Sequence, residues 1–287
     1  MGNTEFPEST WTPIAHPFLR RWRTYRAILK RRVFNICVSR TQIRRSKTFV
    51  REGYGAVWRE SPAAVRLTAP GRTVRDYRGT LYEVPKAAMR KIHLGELSRA
   101  LEEFKGVQSV LELGSGNGIN ILALAALHPE IKVWRGIEMT PEGVAAAEHI
   151  RKEPPLKELV YLTDLPWDTI ARRLAAADIE FQQGSILNLP FPDRSIDMVF
   201  SRLVIEQLPR DYPQAFREAR RVARLGGFFL EEFYEAQSNV FQRIQLLNLD
   251  YFRASYREVE RAGWKVKSFG RLPMNKVEFS FGLLVCV

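Results

Sequence analysis

The clearest chemical signal in the chain is Val110-Leu111-Glu112-Leu113-Gly114-Ser115-Gly116-Asn117-Gly118. An apolar run ends in an acid two residues before three alternating glycines, and a helix-forming run follows. Glycine accepts positive φ and lets a ligand approach the backbone closely. A ligand held here lies beyond the carboxyl end of a strand, where open α/β sheets bind small molecules. The dinucleotide fingerprint needs glycines at its first, third and sixth positions. Here the sixth position is Ile119, so that fingerprint fails. Glu112 beside the turn disfavours an anion and suits a cationic group. A second acid follows in Gly136-Ile137-Glu138-Met139-Thr140, with Glu138 20 residues after Gly118. A carboxylate at a second-strand end accepts both hydroxyls of a ribose, and Met139 beside it can pack on a purine face.

These residues need a scaffold of alternating strands and helices. The pattern predicts strands at about 108–113, 132–138, 179–183, 196–201, 227–233, 265–269 and 279–287. It predicts helices at about 118–128, 141–152, 165–176, 211–224, 239–248 and 255–262, the last opened by a Ser255/Glu258 capping box and stopped by Gly263. This is a doubly wound, mostly parallel seven-stranded α/β sheet, with an antiparallel last strand because the final connection is short. The alternation starts after Gly106. Residues 1–105 therefore read as a basic, mainly helical N-terminal extension or lid, and 106–287 as the ligand-binding domain. In the extension, Phe18, Trp22, Tyr25, Leu29, Val33 and Ile36 fall on one helix face. Residues 39–80 give few signals, and Pro85 reads as a first-turn proline of the helix before Gly106.

With these elements in place, residues 106–287 resemble a class I S-adenosylmethionine-dependent methyltransferase. The resemblance rests on the glycine turn, the acid-ended second strand, the stretch Gln183-Gly184-Ser185-Ile186-Leu187-Asn188-Leu189-Pro190-Phe191, and Arg221-Val222-Ala223-Arg224-Leu225-Gly226-Gly227. It implies a Rossmann-like fold and S-adenosyl-L-methionine as cofactor. Gly114, Ser115, Gly116, Asn117 and Gly118 would hold the methionine portion, with Glu112 near its ammonium. Glu138 would take the ribose hydroxyls, with Met139 beside it. Ser185 and Ile186 would flank the adenine, and Ser201 at the fourth strand end belongs to the same set. Ser185 departs from the family, which usually has an acid there, and a hydroxyl accepts from the exocyclic amine more weakly than a carboxylate. The resemblance also implies that the acceptor pocket opens after the fourth strand, which places Arg202 and Glu206 there. Arg202 suits a phosphate or carboxylate of the acceptor. Glu206 reads either as a base or as a helix-start carboxylate. His93 lies on the helix that covers the cofactor in relatives, and reads either as catalytic or as a structural histidine. Tyr82 reads as a lid aromatic or as core. The Asn/Asp-Pro-Pro-aromatic motif of base and glutamine amine methylation is absent after the fourth strand.

Composition narrows the setting. The chain has 287 residues, 45% hydrophobic and 26% charged, as soluble globular proteins do. Its longest uncharged apolar run, Ile119 to Leu127, falls short of the roughly 20 residues that span a bilayer. No apolar stretch near Met1 reads as a secretory signal. Two cysteines, Cys37 and Cys286, make neither a disulfide framework nor a zinc site, so no metal is expected. The net charge is +12. Residues 18–51 hold twelve basic residues and no acid, while the remainder balances 32 basic against 32 acidic residues. A basic amphipathic helix suits an anionic membrane surface, RNA, or the protein's own surface. The expectation is an O-methyltransferase for a small-molecule, sugar or lipid-linked acceptor, cytoplasmic and peripheral at the inner membrane face. The alternatives are an RNA methyltransferase with a basic docking arm and an inactive scaffold that keeps the fold.

Overall fold

The computed structural model describes residues 10–37, 45–60 and 71–287. Its elements in chain order are β1 (Thr12–Pro13), α1 (Pro17–Cys37), α2 (Lys47–Glu60), β2 (Arg72–Tyr77), β3 (Thr80–Pro85), α3 (Ala88–Glu102), β4 (Ser109–Leu113), α4 (Ile119–Leu127), β5 (Val133–Glu138), α5 (Pro141–Lys152), α6 (Leu156–Thr163), α7 (Trp167–Ala175) and β6 (Asp178–Gln183). There follow β7 (Ile196–Arg202), a 3-10 turn (Ile205–Gln207), α8 (Tyr212–Val222), β8 (Ala223–Glu231), a second 3-10 turn (Tyr234–Ala236), α9 (Val240–Leu249), α10 (Tyr256–Arg261), β9 (Val266–Arg271), β10 (Met274–Asn275) and β11 (Gly282–Cys286).

Seven strands form one sheet in the order β6-β5-β4-β7-β8-β11-β9. Its β6, β5, β4, β7 and β8 run parallel, and β11 is antiparallel to both β8 and β9. The central strands are apolar on both sides because helices cover both faces. One face packs Val110, Phe200 and Phe228 against α3, α4, α6 and α7. The other packs Leu111, Val199 and Phe229 against α8 and α10. The chain leaves β4 toward β5 and β6, then returns to lay β7 on the other side of β4. That reversal opens a crevice at the carboxyl ends of β4 and β7.

Beyond Gly106 the elements follow the sequence reading closely, with four differences. The expected 165–176 helix forms as α7, with Pro166 as its N-cap, and a separate α6, ended by the left-handed Asp164 (φ 58°), precedes it. β8 starts at Ala223, four residues earlier than expected, because Gly226 and Gly227 lie inside the strand. A Cβ on Gly226 would sit 2.5 Å from the Cys286 carbonyl oxygen of β11. The last strand is shorter than 279–287. Ser255 does cap α10, accepting from the Arg257 N–H (3.2 Å), but Glu258 turns away to accept the Tyr212 hydroxyl (2.5 Å).

The N-terminal region departs further. Pro85 ends β3 and does not start a helix; α3 begins at Ala88. β2 and β3 form a hairpin whose two turn residues, Arg78 and Gly79, both have positive φ (49° and 91°), the geometry of a tight hairpin turn. With β1 and β10 they make a small four-stranded sheet over Trp11, Val84 and Ile92. Tyr82 belongs to this packing, against Trp11. No described helix is long and apolar enough to cross a membrane.

Candidate functional site

A cavity of about 310 Å³ fills the crevice between β4 and β7. Its floor is the glycine turn, built as the sequence requires. Gly114, Gly116 and Gly118 all have left-handed φ (65°, 54° and 77°). A side chain on Gly114 would strike Val204, and one on Gly118 would strike the Phe181 ring at 2.4 Å. Gly114, Ser115, Gly116 and Asn117 line the cavity, and Gly118 lies behind it as the residue that opens α4.

Glu138 is held ready on one wall. Its Oε1 accepts from the Thr140 N–H (2.9 Å) and hydroxyl (2.7 Å), and its Oε2 from the Gly116 N–H (3.1 Å). Thr140 also caps α5, accepting from the Gly143 N–H at 3.2 Å. The carboxylate is therefore fixed by the turn and by the helix start, with lone pairs left for a ligand. Met139, Ser185 and Ile186 line the same wall. The Ser185 hydroxyl accepts from the Leu187 N–H (3.2 Å), which shapes the loop. That loop is clamped by Arg221, which donates to the Leu189 and Phe191 carbonyls (2.9 and 2.8 Å) and to Asp193 and Glu218. Two motifs read separately in the sequence are thus one structural unit. Trp167, in the long connection before β6, is 64% exposed and does not line the cavity.

Glu112 stands behind the cavity wall. Its Oε1 accepts from Asn120 Nδ2 (2.6 Å), and Asn120 Oδ1 accepts from Arg90 (2.9 Å). Its Oε2 is buried with no hydrogen-bond partner among the described residues. Burial pushes this carboxyl up to about 8, against the opposing pull of Asn120, Arg202 and Arg90. Asn120 and Arg90 do face the cavity.

At the β7 end of the cavity the structure brings Arg202 and His93 together. The Arg202 guanidinium lines the cavity and donates through Nη2 to His93 Nδ1 at 3.2 Å. Burial and the neighbouring Arg202 and Arg90 charges hold His93 well below its ordinary value, so it is a neutral acceptor. His93 itself is fully buried, edge-on to Phe281 (4.9 Å), and does not reach the cavity. Burial and Arg90 lower Arg202 to about 9, which leaves it cationic at neutral pH. Neither Arg202 nor Arg90 has a carboxylate within ion-pair distance among the described residues.

Glu206 sits in the buried 3-10 turn after β7. A turn that short has little dipole, so the helix-start role does not apply. Ser201 lies under the floor and donates to Glu231 Oε1 (2.5 Å). Glu231 also accepts from the Val204 and Glu206 N–H groups (3.1 and 3.3 Å), which pins the loop that follows Arg202. Burial raises Glu206, Glu231 and Glu232 above the usual carboxylate range. The sequence reading missed Glu231 and Glu232, which announce themselves only as a strand end.

It also missed the roof. Val50, Tyr54 and Trp58 of α2 close the cavity from above. They recur at four-residue steps, a signal that Gly53 and Gly55 interrupt. Gly55 lets Glu142 of α5 come within 3.3 Å of where its Cβ would be, and Arg59 pairs with Glu142 (3.4 Å). Arg45 pins the start of the roof through the Leu249 carbonyl (2.8 Å), Asp250 and Gln207. A larger, more open groove of about 670 Å³ beside β9 shares none of the glycine-turn residues. Among the described residues no group of three or more His, Cys, Asp or Glu could hold a metal ion.

Residues 111–230 match the family model for a methyltransferase domain. These residues are a class I methyltransferase domain. Over 128 residues the chain is 28% identical to an uncharacterized methyltransferase, YcgJ, of Bacillus subtilis, covering 45% of this chain and 41% of that protein. Over 121 residues it is 32% identical to an arsenite methyltransferase of Halobacterium salinarum, covering 42% of this chain and 25% of that protein. The chain thus spans less than half the length of these relatives. In fold it is similar to the magnesium protoporphyrin IX methyltransferase of Synechocystis PCC 6803, solved with bound SAH, at a TM-score of 0.58, 13% identity, and 84% and 99% coverage of the two chains. The cofactor of the methyltransferase domain is S-adenosylmethionine. The cavity fits it: an unpartnered buried carboxylate oxygen stands beside a glycine cradle, a fixed carboxylate waits on the second strand, and apolar side chains flank the third.

Proposed function

We propose that the chain transfers a methyl group from S-adenosylmethionine to an oxygen of a small-molecule, sugar or lipid-linked acceptor. The observation that carries the reading is Glu138, held by three hydrogen bonds beside the glycine turn. When bound, S-adenosylmethionine supplies an electrophilic methyl group for direct displacement, a step whose rate comes mainly from alignment and desolvation. Gly114 to Gly118 hold the methionine portion, with Glu112 toward its ammonium and Arg90 toward its carboxylate. Glu138 takes the ribose hydroxyls, while Met139 and Ile186 flank the adenine. Arg202, set by His93, holds an anionic group of the acceptor. His93 is a positioning residue in this scheme. Glu206 accepts from Gln207 Nε2 (3.1 Å) and does not line the cavity, so it is a second positioning residue, setting Gln207 on the wall. Tyr54 and Trp58 exclude water from above.

Calorimetric titration tests the reading. S-adenosylmethionine and its demethylated product S-adenosylhomocysteine are both expected to bind in the micromolar range. No heat at about 1 mM, weaker than about −4 kcal/mol, overturns it in favour of a scaffold. The assignment of Arg90 has its own test. Arg90→Gln is expected to weaken S-adenosylhomocysteine by about tenfold or more, since a charge-assisted hydrogen bond is lost. It should leave 5′-methylthioadenosine, which has no carboxylate, unchanged. Equal losses for both ligands place Arg90 elsewhere.

A further inference from the structure

Helix α1 carries two different faces. The inner face packs on the domain. Ile28 is 4% exposed, Tyr25 stacks on Phe241 of α9 (4.5 Å, 9° between planes), and Asn248 Nδ2 donates to the Ile28 carbonyl (3.0 Å). Arg21 pairs with Asp76 of the hairpin at 2.7 Å. These contacts fix the helix on the protein. The apolar stripe expected from the sequence is not this inner face. Of its six residues only Tyr25 turns inward; Phe18, Trp22, Leu29, Val33 and Ile36 lie about 100° of turn from Ile28 and are exposed. Phe18 is 76% exposed, Val33 59% and Ile36 66%. The stripe therefore packs on the protein through Tyr25 alone, while Arg21, and Arg45 beyond the helix, pair with the domain.

The edge of the stripe is cationic. Helix α1 holds seven Lys or Arg and no Asp or Glu. Arg26 stands over the Trp22 ring (5.3 Å), and Arg23 and Lys30 follow on the same outer side. Among the described residues no carboxylate pairs with any of these three. A fixed helix with large apolar residues outward and unpaired cations beside them matches a surface that is apolar within and anionic at its rim. The cation stripe argues against a second copy of this chain, because two α1 helices face to face would bring the same charges together. The width of the apolar stripe argues against RNA, whose backbone offers nothing for Phe18, Val33 and Ile36 to enter.

We propose that α1 docks this chain on an anionic lipid bilayer, lying flat with its apolar stripe in the interfacial layer and its basic flank against the phosphates. The inference goes beyond the methyl-transfer reading and stands without it. It also bears on the site. Helix α1 packs on α9, and Arg45, bonded to the α9 end, leads directly into the α2 roof. Docking would bring the roof of the cavity close to the lipid surface.

The test is flotation of the full chain with vesicles of phosphatidylcholine alone and of phosphatidylcholine with phosphatidylglycerol. Binding is expected only to the second, weakened but not abolished by raised salt. The variant Trp22→Glu with Val33→Glu should lower that partition by about tenfold to a hundredfold, since two apolar side chains no longer enter the bilayer. Its S-adenosylhomocysteine affinity and melting temperature should match the parent, which shows that the fold is kept. Three results overturn the proposal: a parent chain that stays unbound with the anionic vesicles; equal binding by parent and variant; or a parent dimer by light scattering that the variant turns into a monomer.

Discussion

Gly116→Arg is expected to weaken S-adenosylhomocysteine by about a hundredfold or more, close to 2.8 kcal/mol, while the fold survives. Gly116 is left-handed (φ 54°), and a Cβ there meets only the Trp58 indole of the roof, at 2.8 Å. The backbone strain of a non-glycine residue in this region is about 1–2 kcal/mol. The larger cost falls on the cavity, which the arginine side chain fills. Gly118→Ala is the contrasting change. Its Cβ would meet the buried Phe181 ring at 2.4 Å with φ at 77°, and that ring is packed into the core. Overpacking and strain together are expected to cost about 2–4 kcal/mol of stability in urea denaturation. The two glycines thus separate binding from folding. Unchanged affinity in Gly116→Arg would remove the glycine turn from the site.

The scaffold and half of the site were legible in the residues, for physical reasons. Strands β4 and β7 are buried on both faces, so they read as continuous apolar runs whatever surrounds them. The glycine turn and Glu138 act through local geometry, and local geometry is written in local sequence. The roof was not legible, because α2 is held by partners far along the chain: Asp250 and Gln207 for Arg45, and Glu142 for Arg59. Glu231 was missed for the same reason. It looks like any strand end until the 203–206 loop folds over it. His93 and Arg202 were both marked as candidates, but only their approach across 109 residues shows that one orients the other. Helix α1 shows the opposite failure. Periodicity groups Tyr25 with Phe18, Trp22, Leu29, Val33 and Ile36, but it cannot say which of them turn toward the protein. That choice was made by Tyr25 and Ile28, which bring α1 onto α9.

The pH dependence of cofactor binding follows from Glu112. Desolvation pushes this carboxyl up to about 8, so in the free chain it keeps its proton at neutral pH. Asn120, Arg202 and Arg90 oppose that rise and Glu138 adds to it, and burial is the larger effect. The folded state therefore holds a proton that the unfolded state has already lost between the ordinary carboxylate range and about 8. Across that window the group's contribution to stability falls as pH rises. An ammonium placed beside Oε2 reverses the balance, because it favours the ionised form. Binding then expels the proton. Affinity for S-adenosylhomocysteine is expected to increase with pH, at a slope approaching tenfold per unit, and to flatten above about 8. Calorimetry at pH 7 in buffers of different ionisation enthalpy should find close to one proton released per site. Glu112→Gln keeps a hydrogen-bonding partner for Asn120 and cannot ionise, so its affinity should be lower and independent of pH through Glu112. A parent chain with flat affinity from pH 6 to 8 and no proton release would show that the ammonium is held elsewhere, and that the unpartnered oxygen of Glu112 serves only the packing behind the turn.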